Sequence, residues 1–135
     1  MAYEWRNWLD LAAGHLTNAQ VALDNGGYYV TAMLGQQAAE QALKGLWIVV
    51  ADGLPPRTHN LVELATRLEA PGTVVDAAAR LHPHFFASVC PVVAHGNPMK
   101  NYTEAIAADL LDDAREVVNW RLSRLLQPTA PSRDR

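Results

Sequence analysis

The chain has 135 residues, of which 50% are apolar and 19% charged, a balance that excludes an intrinsically disordered protein and is typical of one folded domain. Its formal net charge of −3 argues against a broad basic surface for nucleic acid. The single cysteine, Cys90, rules out an intramolecular disulfide and fits a cytoplasmic location. The longest apolar run, residues 46–51, is far below the roughly 20 residues of a membrane-spanning helix, so we expect no membrane association.

Two long helices are predicted in the first part of the chain. Apolar residues recur at three- and four-residue steps over residues 4–23, which indicates an amphipathic helix. The Asp-Asn-Gly-Gly sequence at residues 24–27 ends it, because Asn and Gly readily adopt the left-handed conformation found after helices. A second helix is predicted over residues 28–51. It cannot continue through residues 55–56, because two prolines interrupt the helical hydrogen bonds.

The second predicted helix has an unusually small apolar face, which lets a neighbouring backbone approach closely. We therefore expect it to be the central helix of a bundle. Glu40 and Lys44 lie one turn apart on it and are predicted to form a surface ion pair worth about 0.3 kcal/mol. In a second interpretation, Lys44 faces a phosphate. The small residues are Ala38, Ala39, Ala42 and Gly45.

Two short helices are predicted next. The first covers residues 61–68, with Thr58 or Asn60 as its N-cap. A Pro-Gly sequence then interrupts it, and Thr73 is predicted to cap the second, over residues 74–81.

The last helix is predicted to follow an irregular segment. Residues 90–100 contain two prolines, a glycine and an asparagine, which indicates a loop. Asn101 and Glu104 then have the spacing of a capping box. The helix is predicted to end near residue 126, with Leu122 in its buried stripe.

The fold class predicted from these elements is all-α, an up-and-down helical bundle with three long helices plus one or two short ones. We expect a single domain at residues 1–127 and a disordered tail at residues 128–135, where Pro, Ser and charged residues dominate.

Several segments, in this order, resemble the prokaryotic HEPN domain over about residues 5–126. They are residues 28–32 (Tyr-Tyr-Val-Thr-Ala), 36–44 (Gln-Gln-Ala-Ala-Glu-Gln-Ala-Leu-Lys), 55–56 (Pro-Pro), 58–64 (Thr-His-Asn-Leu-Val-Glu-Leu), 102–105 (Tyr-Thr-Glu-Ala) and 118–120 (Val-Asn-Trp). The resemblance implies a helical bundle that usually forms a homodimer. It also implies a genomic neighbour, a minimal nucleotidyltransferase, in a toxin–antitoxin pair.

Many members of that family are ribonucleases whose Arg and His, four to six residues apart, meet across the dimer. The branch most similar to this chain commonly carries Arg-Tyr-Pro after its fourth helix, whereas residues 89–91 here read Val-Cys-Pro. Only three residues separate Arg80 from His84, so no intact pair is present. The remaining candidate catalytic residues are His59, Arg80, His84 and His95, which include groups able to act as acid, base or cation. For His59, the simpler interpretation is that it fixes its loop by hydrogen bonding.

Candidate ligand-binding residues are Lys44, Arg57, His59 and Lys100, which lie in loops or on the central helix. His82, His84 and His95 have the chemistry of metal ligands, but no carboxylate lies at a matching offset, so we predict no metal site and no cofactor.

The sequence is compatible with three functions. The first is a dimeric HEPN-type module that binds a nucleotidyltransferase and, in addition, nucleotide or RNA. The second is a metal-independent ribonuclease toxin that uses His with Arg or Lys from the loops before the last helix. The third is a structural subunit of a larger assembly.

Overall fold

A computed structural model describes residues 4–126, apart from the side chains of Leu122 and Leu126. The predicted tail at residues 128–135 and the predicted burial of Leu122 lie outside the described residues. Within residues 4–126, no helix is both long enough and apolar enough to span a membrane.

The predicted all-α bundle with three long helices is confirmed. Between α2 and α8 the chain forms five shorter helices, more than the one or two expected. The helices are α1 (Trp5–Asp24), α2 (Tyr28–Ala51), α3 (Leu61–Arg67), α4 (Gly72–Leu81), α5 (His84–Val89), α6 (Pro91–Ala94), α7 (Pro98–Asn101) and α8 (Glu104–Leu126).

Helix α2 is the central helix, as its small residues predicted. It packs against α1, α8, α3, α4, α5 and α7. Ala38, Ala39 and Ala42 are fully buried, and a Cβ atom at Gly45 would lie 2.6 Å from Leu9 Cδ2 of α1. The same Cβ atom would lie 3.1 Å from the Cβ atom of Trp8. The absence of a side chain at position 45 therefore sets how closely α1 and α2 approach.

Replacement of Gly45 by valine is expected to lower the free energy of unfolding by about 1–3 kcal/mol, because the added methyl groups overpack the α1–α2 contact. Gly14→Val in α1 is the matched control, since a Cβ atom there meets no neighbouring atom within 4 Å. We expect the control to change stability by less than about 0.5 kcal/mol. Urea unfolding followed by circular dichroism measures both, and equal effects would contradict the close approach.

The main hydrophobic core lies between α2, α3, α4 and α8. Its largest fully buried members are Leu43, Leu46, Leu61, Leu64, Leu81, Val74 and Val117. A smaller cluster of Ala12, Ala38, Ala42 and Val118 joins α1 to α2 and α8. Because both clusters include α2, every long helix is anchored to the same element.

The helix ends differ in part from the sequence predictions. Asn60 caps α3, as one of the two predicted residues, and its Oδ1 accepts from the backbone N–H of Glu63 at 3.1 Å. The predicted cap of α8 by Asn101 is wrong, because Thr103 Oγ1 accepts from the N–H of Ile106 at 3.2 Å instead. Asn101 ends α7, and its amide donates to the carbonyl of Ala94.

The predicted cap of α4 by Thr73 is also wrong, since α4 begins at Gly72, directly after Pro71. The predicted irregular loop at residues 90–100 contains two one-turn helices, α6 and α7. Each begins with a proline at its first turn, where a proline loses no helical hydrogen bond. The two prolines that suggested a loop therefore start helices.

Candidate functional site

A cluster of polar side chains surrounds the buried carboxylate of Glu40 on α2, and only the His59 ring among them is exposed, at 72%. Lys44 Nζ lies 3.0 Å from Glu40 Oε2 and Gln36 Nε2 lies 3.2 Å from Oε1. His59, from the loop before α3, places its Nδ1 2.9 Å from Oε2. Residues 36, 40 and 44 share one face of α2 because they are spaced at four-residue steps. We call Gln36, Glu40, Lys44 and His59 the Glu40 cluster.

The predicted ion pair of Glu40 and Lys44 forms, but its predicted position on the surface is wrong. The two side chains are only 5% and 10% exposed. The surface prediction failed because the polar face of α2 is buried as well, with Gln36, Glu40 and Lys44 only 1%, 3% and 8% exposed. Buried charges persist only when they are paired and hydrogen-bonded, and the Glu40 cluster supplies three donors to one carboxylate.

The pKa of Glu40 reflects two opposing influences. Burial alone would raise it, but hydrogen bonds from His59 and Lys44, together with the Lys44 charge and the Gln36 hydrogen bond, outweigh burial and lower it. The Glu40 carboxylate is therefore ionised at neutral pH. A carboxylate only accepts hydrogen bonds, so the contacting His59 Nδ1 carries a proton.

The Glu40 cluster contributes Gln36, Glu40 and His59 to the lining of a cavity of about 440 Å³. The polar part of the lining, which we call the polar wall, consists of Gln36, Gln37, Glu40, His59 and His82. The apolar part, which we call the apolar wall, consists of Pro83, Phe85, Phe86 and Val93. The amide of Gln37 continues the polar wall, because its Nε2 donates to Gln36 Oε1 at 2.7 Å. A flat ligand with polar edges would suit both walls.

The apolar wall comes from the break between α4 and α5. Helix α4 ends at Leu81, and α5 starts after Pro83 and packs against α2. The two phenylalanines are the only ones in the chain, and their ring centroids lie 5.2 Å apart in an edge-to-face arrangement. Phe86 is 55% exposed, so one aromatic ring stands at the mouth of the cavity.

The four candidate catalytic residues lie in different places of the described chain. His59 belongs to the Glu40 cluster, whereas the guanidinium of Arg80 forms a bidentate pair with Asp113 of α8 at 2.9–3.1 Å. His84 Nδ1 lies 2.8 Å from the hydroxyl of Tyr102, in a separate depression. His95 is exposed where α6 ends. None of the depressions described in residues 4–126 contains more than one of His59, Arg80, His84 and His95.

Tyr102 is buried and His84 is half-buried, and burial shifts the pKa of each in the direction that favours its neutral form. Burial lowers the pKa of His84 and raises the pKa of Tyr102. The His84 imidazole is therefore neutral at pH 7, and its contact with the phenol is a hydrogen bond between uncharged groups.

Of the candidate ligand-binding residues, Lys44 and His59 meet at Glu40. Arg57 is exposed in the loop before α3, and Lys100 is exposed on α7. The cavity is also lined by four residues that were not predicted as site residues from the sequence, Gln36, Gln37, Phe85 and Phe86. The four-residue spacing of Gln36, Glu40 and Lys44 could have indicated from the sequence that these polar residues share one face of α2. No pattern in the neighbouring sequence indicated that Phe85 and Phe86 line the same cavity.

The residues described here include no group of three or more His, Cys, Asp or Glu side chains that could hold a metal ion. His82 lines the cavity beside α2, whereas His84 lines the depression with Tyr102. The imidazoles on either side of Pro83 thus face different sites.

The chain is similar to one domain family and to two proteins of known structure. A family model of the HEPN domain matches residues 5–125. The chain is 31% identical to TT1696 from Thermus thermophilus, whose crystal structure superposes with a TM-score of 0.81 over 89% of this chain and 97% of that one. It is 29% identical to ST0689, an archaeal HEPN homologue, with a TM-score of 0.78 over 91% of this chain and 98% of that one. The comparison with curated proteins found no match.

Proposed function

The chain belongs to the HEPN domain family, and we propose that it is a homodimeric, non-catalytic module whose cavity beside α2 binds the base of a nucleotide or of RNA. The observation that carries this proposal is the lining of one cavity by two glutamine amides and two phenyl rings. Aromatic rings stack on bases of any sequence, and Gln side chains pair with base edges through a carbonyl and an N–H. The ionised carboxylate of Glu40 balances the charge of Lys44, so this ion pair offers no surplus positive charge to a phosphate.

The homodimer is proposed to form through an exposed apolar surface around α5, α6 and α7, which we call the α5–α7 surface. Its members are Phe86, Val89, Val92, Val93, Met99 and Ile106, all at least 42% exposed. Val93 lines both the cavity and the depression of His84 and Tyr102, so the surface is continuous between the two. An apolar centre of this kind suits an isologous contact between two copies.

The protein partner we propose is a nucleotidyltransferase in a toxin–antitoxin-like system. This part rests on the family alone, because members are often encoded beside such an enzyme. A cytoplasmic location is part of the same proposal, since the free thiol of Cys90 suits a reducing compartment. Co-purification of the chain with the product of a neighbouring nucleotidyltransferase gene, from the native host, tests the partnership.

The base-binding proposal is tested with 2-aminopurine ribonucleoside monophosphate, whose fluorescence falls when the base stacks. We expect quenching on addition of the protein, and Phe86→Ala should weaken binding by about 5- to 150-fold, the loss typical of one stacking ring. Val50→Ala is the control, because Val50 is equally exposed, at 53%, and does not line the cavity. Binding that is absent, or that is equal in Phe86→Ala and the wild type, would contradict the proposal.

The alternative function is a metal-independent ribonuclease. Such an enzyme needs an acid, a base and a cation at one phosphate, and a ribonuclease built from these residues would need a second copy to complete the set. Incubation of RNA with purified protein separates the two functions. Intact RNA supports the binding module, whereas cleavage that is lost in the triple substitution His59→Ala, His84→Ala and His95→Ala would support the enzyme.

A further inference from the structure

A groove between α1 and α8, of about 460 Å³, contains a buried arginine that the function proposed above does not use. Arg121 of α8 is only 4% exposed, and its buried Nε has no hydrogen-bond partner among the described residues. The guanidinium lines the groove together with Leu16, Thr17, Gln20, Arg115 and Asn119. The feature to be explained is a buried, charged donor without a partner on a residue that lines an open groove.

Leaving a buried guanidinium without an acceptor is costly, because the charge has lost water and gained no partner. Burial lowers the pKa of Arg121, the direction expected for a cation taken out of water. Arginine nevertheless stays protonated in proteins, so the charge persists. The usual solution is a carboxylate placed beside the arginine, and no carboxylate lines this groove.

A second cation stands at the same groove. Arg115 bonds through Nη2 to the amide oxygen of Gln20, a neutral partner. The Nε2 of Gln20 in turn donates to Asp24 Oδ1 at 2.8 Å. Asp24 therefore contacts Gln20, and Arg115 is linked to this carboxylate only through the Gln20 amide. Neither Arg115 nor Arg121 forms an ion pair within residues 4–126.

We propose that the α1–α8 groove binds a phosphate group between Arg121 and Arg115. Two guanidinium groups match a doubly charged oxyanion, and each can donate two parallel N–H bonds to it. Thr17 and Asn119 line the same groove and add neutral donors. This site is separate from the cavity beside α2, which shares no lining residue with it, and does not depend on base binding.

The test is a titration with inorganic phosphate at constant ionic strength, set with sodium chloride, followed by nuclear magnetic resonance of the arginine Nε–H groups. We expect the Arg121 resonance to shift in a saturable manner. Arg115→Gln should raise the half-saturating phosphate concentration about tenfold or more, the loss expected for one charge-assisted hydrogen bond. No shift at Arg121, or unchanged saturation in Arg115→Gln, would overturn the proposal.

A second measurement distinguishes binding from a purely structural arginine. Arg121→Met should abolish the rise in melting temperature that phosphate causes, while the phosphate-free melting temperature stays equal or increases, because a buried unpaired charge has been removed. Arg124→Met is the matched control, since Arg124 lies one turn later on α8 and does not line the groove. A phosphate-dependent rise that survives in Arg121→Met would overturn the assignment.

Adenosine monophosphate, titrated into the Phe86→Ala variant, separates two sources of the phosphate group. Tighter binding than inorganic phosphate, read at Arg121, means that the group belongs to a nucleotide, whereas weaker binding means that the free ion is the ligand. Because Phe86→Ala disables the proposed base cavity, failure of either site can be recognised independently of the other.

Discussion

Replacement of Glu40 by alanine is expected to lower the free energy of unfolding by about 3–5 kcal/mol, the cost typical of removing one partner from a buried ion pair. The loss is large because the ammonium group of Lys44, 10% exposed, would be left without its carboxylate. Gln36 and His59 would each lose an acceptor as well. Urea unfolding followed by circular dichroism measures the change.

The control for this prediction replaces both charges at once. Glu40→Leu combined with Lys44→Met keeps the volume and leaves no buried charge, so we expect most of the stability to return. If Glu40→Ala lowers the free energy of unfolding by less than about 1 kcal/mol, the level of an ordinary exposed ion pair, the prediction is wrong and burial of the pair does not add to its contribution.

The Glu40→Ala variant also tests how the free energy of unfolding depends on pH. The pKa of Glu40 is lower in the folded chain than its ordinary value, so the carboxylate stabilises the fold above the unfolded-state pKa, about 4.3. This contribution is lost as the pH falls through the folded-state pKa. The stability difference between wild type and Glu40→Ala should therefore narrow below pH 4 and stay constant near neutral pH.

Replacement of Val92 by aspartate is expected to convert the proposed homodimer into monomers and to raise its dissociation constant about 100-fold or more. An isologous contact repeats each substitution twice, so two uncompensated carboxylates would be buried in the α5–α7 surface. Val92 is 81% exposed in the single chain, so the monomer itself should lose less than about 0.5 kcal/mol of stability. Sedimentation equilibrium at micromolar concentration measures the change.

Val50→Asp is the matched control, because Val50 is 53% exposed on α2 and lies outside the α5–α7 surface. It should leave the dimer intact. A wild-type chain that sediments as a monomer at micromolar concentration would contradict the homodimer. If Val92→Asp and Val50→Asp dissociate the homodimer equally, the dimer contact does not lie on the α5–α7 surface.

The long helices could be predicted from the sequence because their signals are local. Apolar periodicity and the glycines and prolines at the helix ends fix α1, α2 and α8 closely, and the predicted bounds of α2 agree with the structure at both ends. The short helices α6 and α7 were missed because a proline is compatible both with a loop and with the first turn of a helix.

The site was harder to predict because it joins distant segments. Glu40 and Lys44 have the same four-residue spacing on an exposed helix as on a buried one, so spacing alone could not reveal their burial. Similarly, the pairing of Arg80 with Asp113 joins α4 to α8 and depends on how those helices pack. The family resemblance could name the fold, but the walls of the cavity required the packing of α5 against α2.

The Glu40 cluster also bears on how related sequences differ. Substitution of Glu40 alone leaves the buried ammonium of Lys44 without its carboxylate, and substitution of Lys44 alone leaves the buried carboxylate without its cation. Two substitutions made together avoid that penalty, as in the double replacement of Glu40 and Lys44. Positions 40 and 44 should therefore change jointly over evolutionary time, and a lineage that loses the acid should soon lose the lysine too.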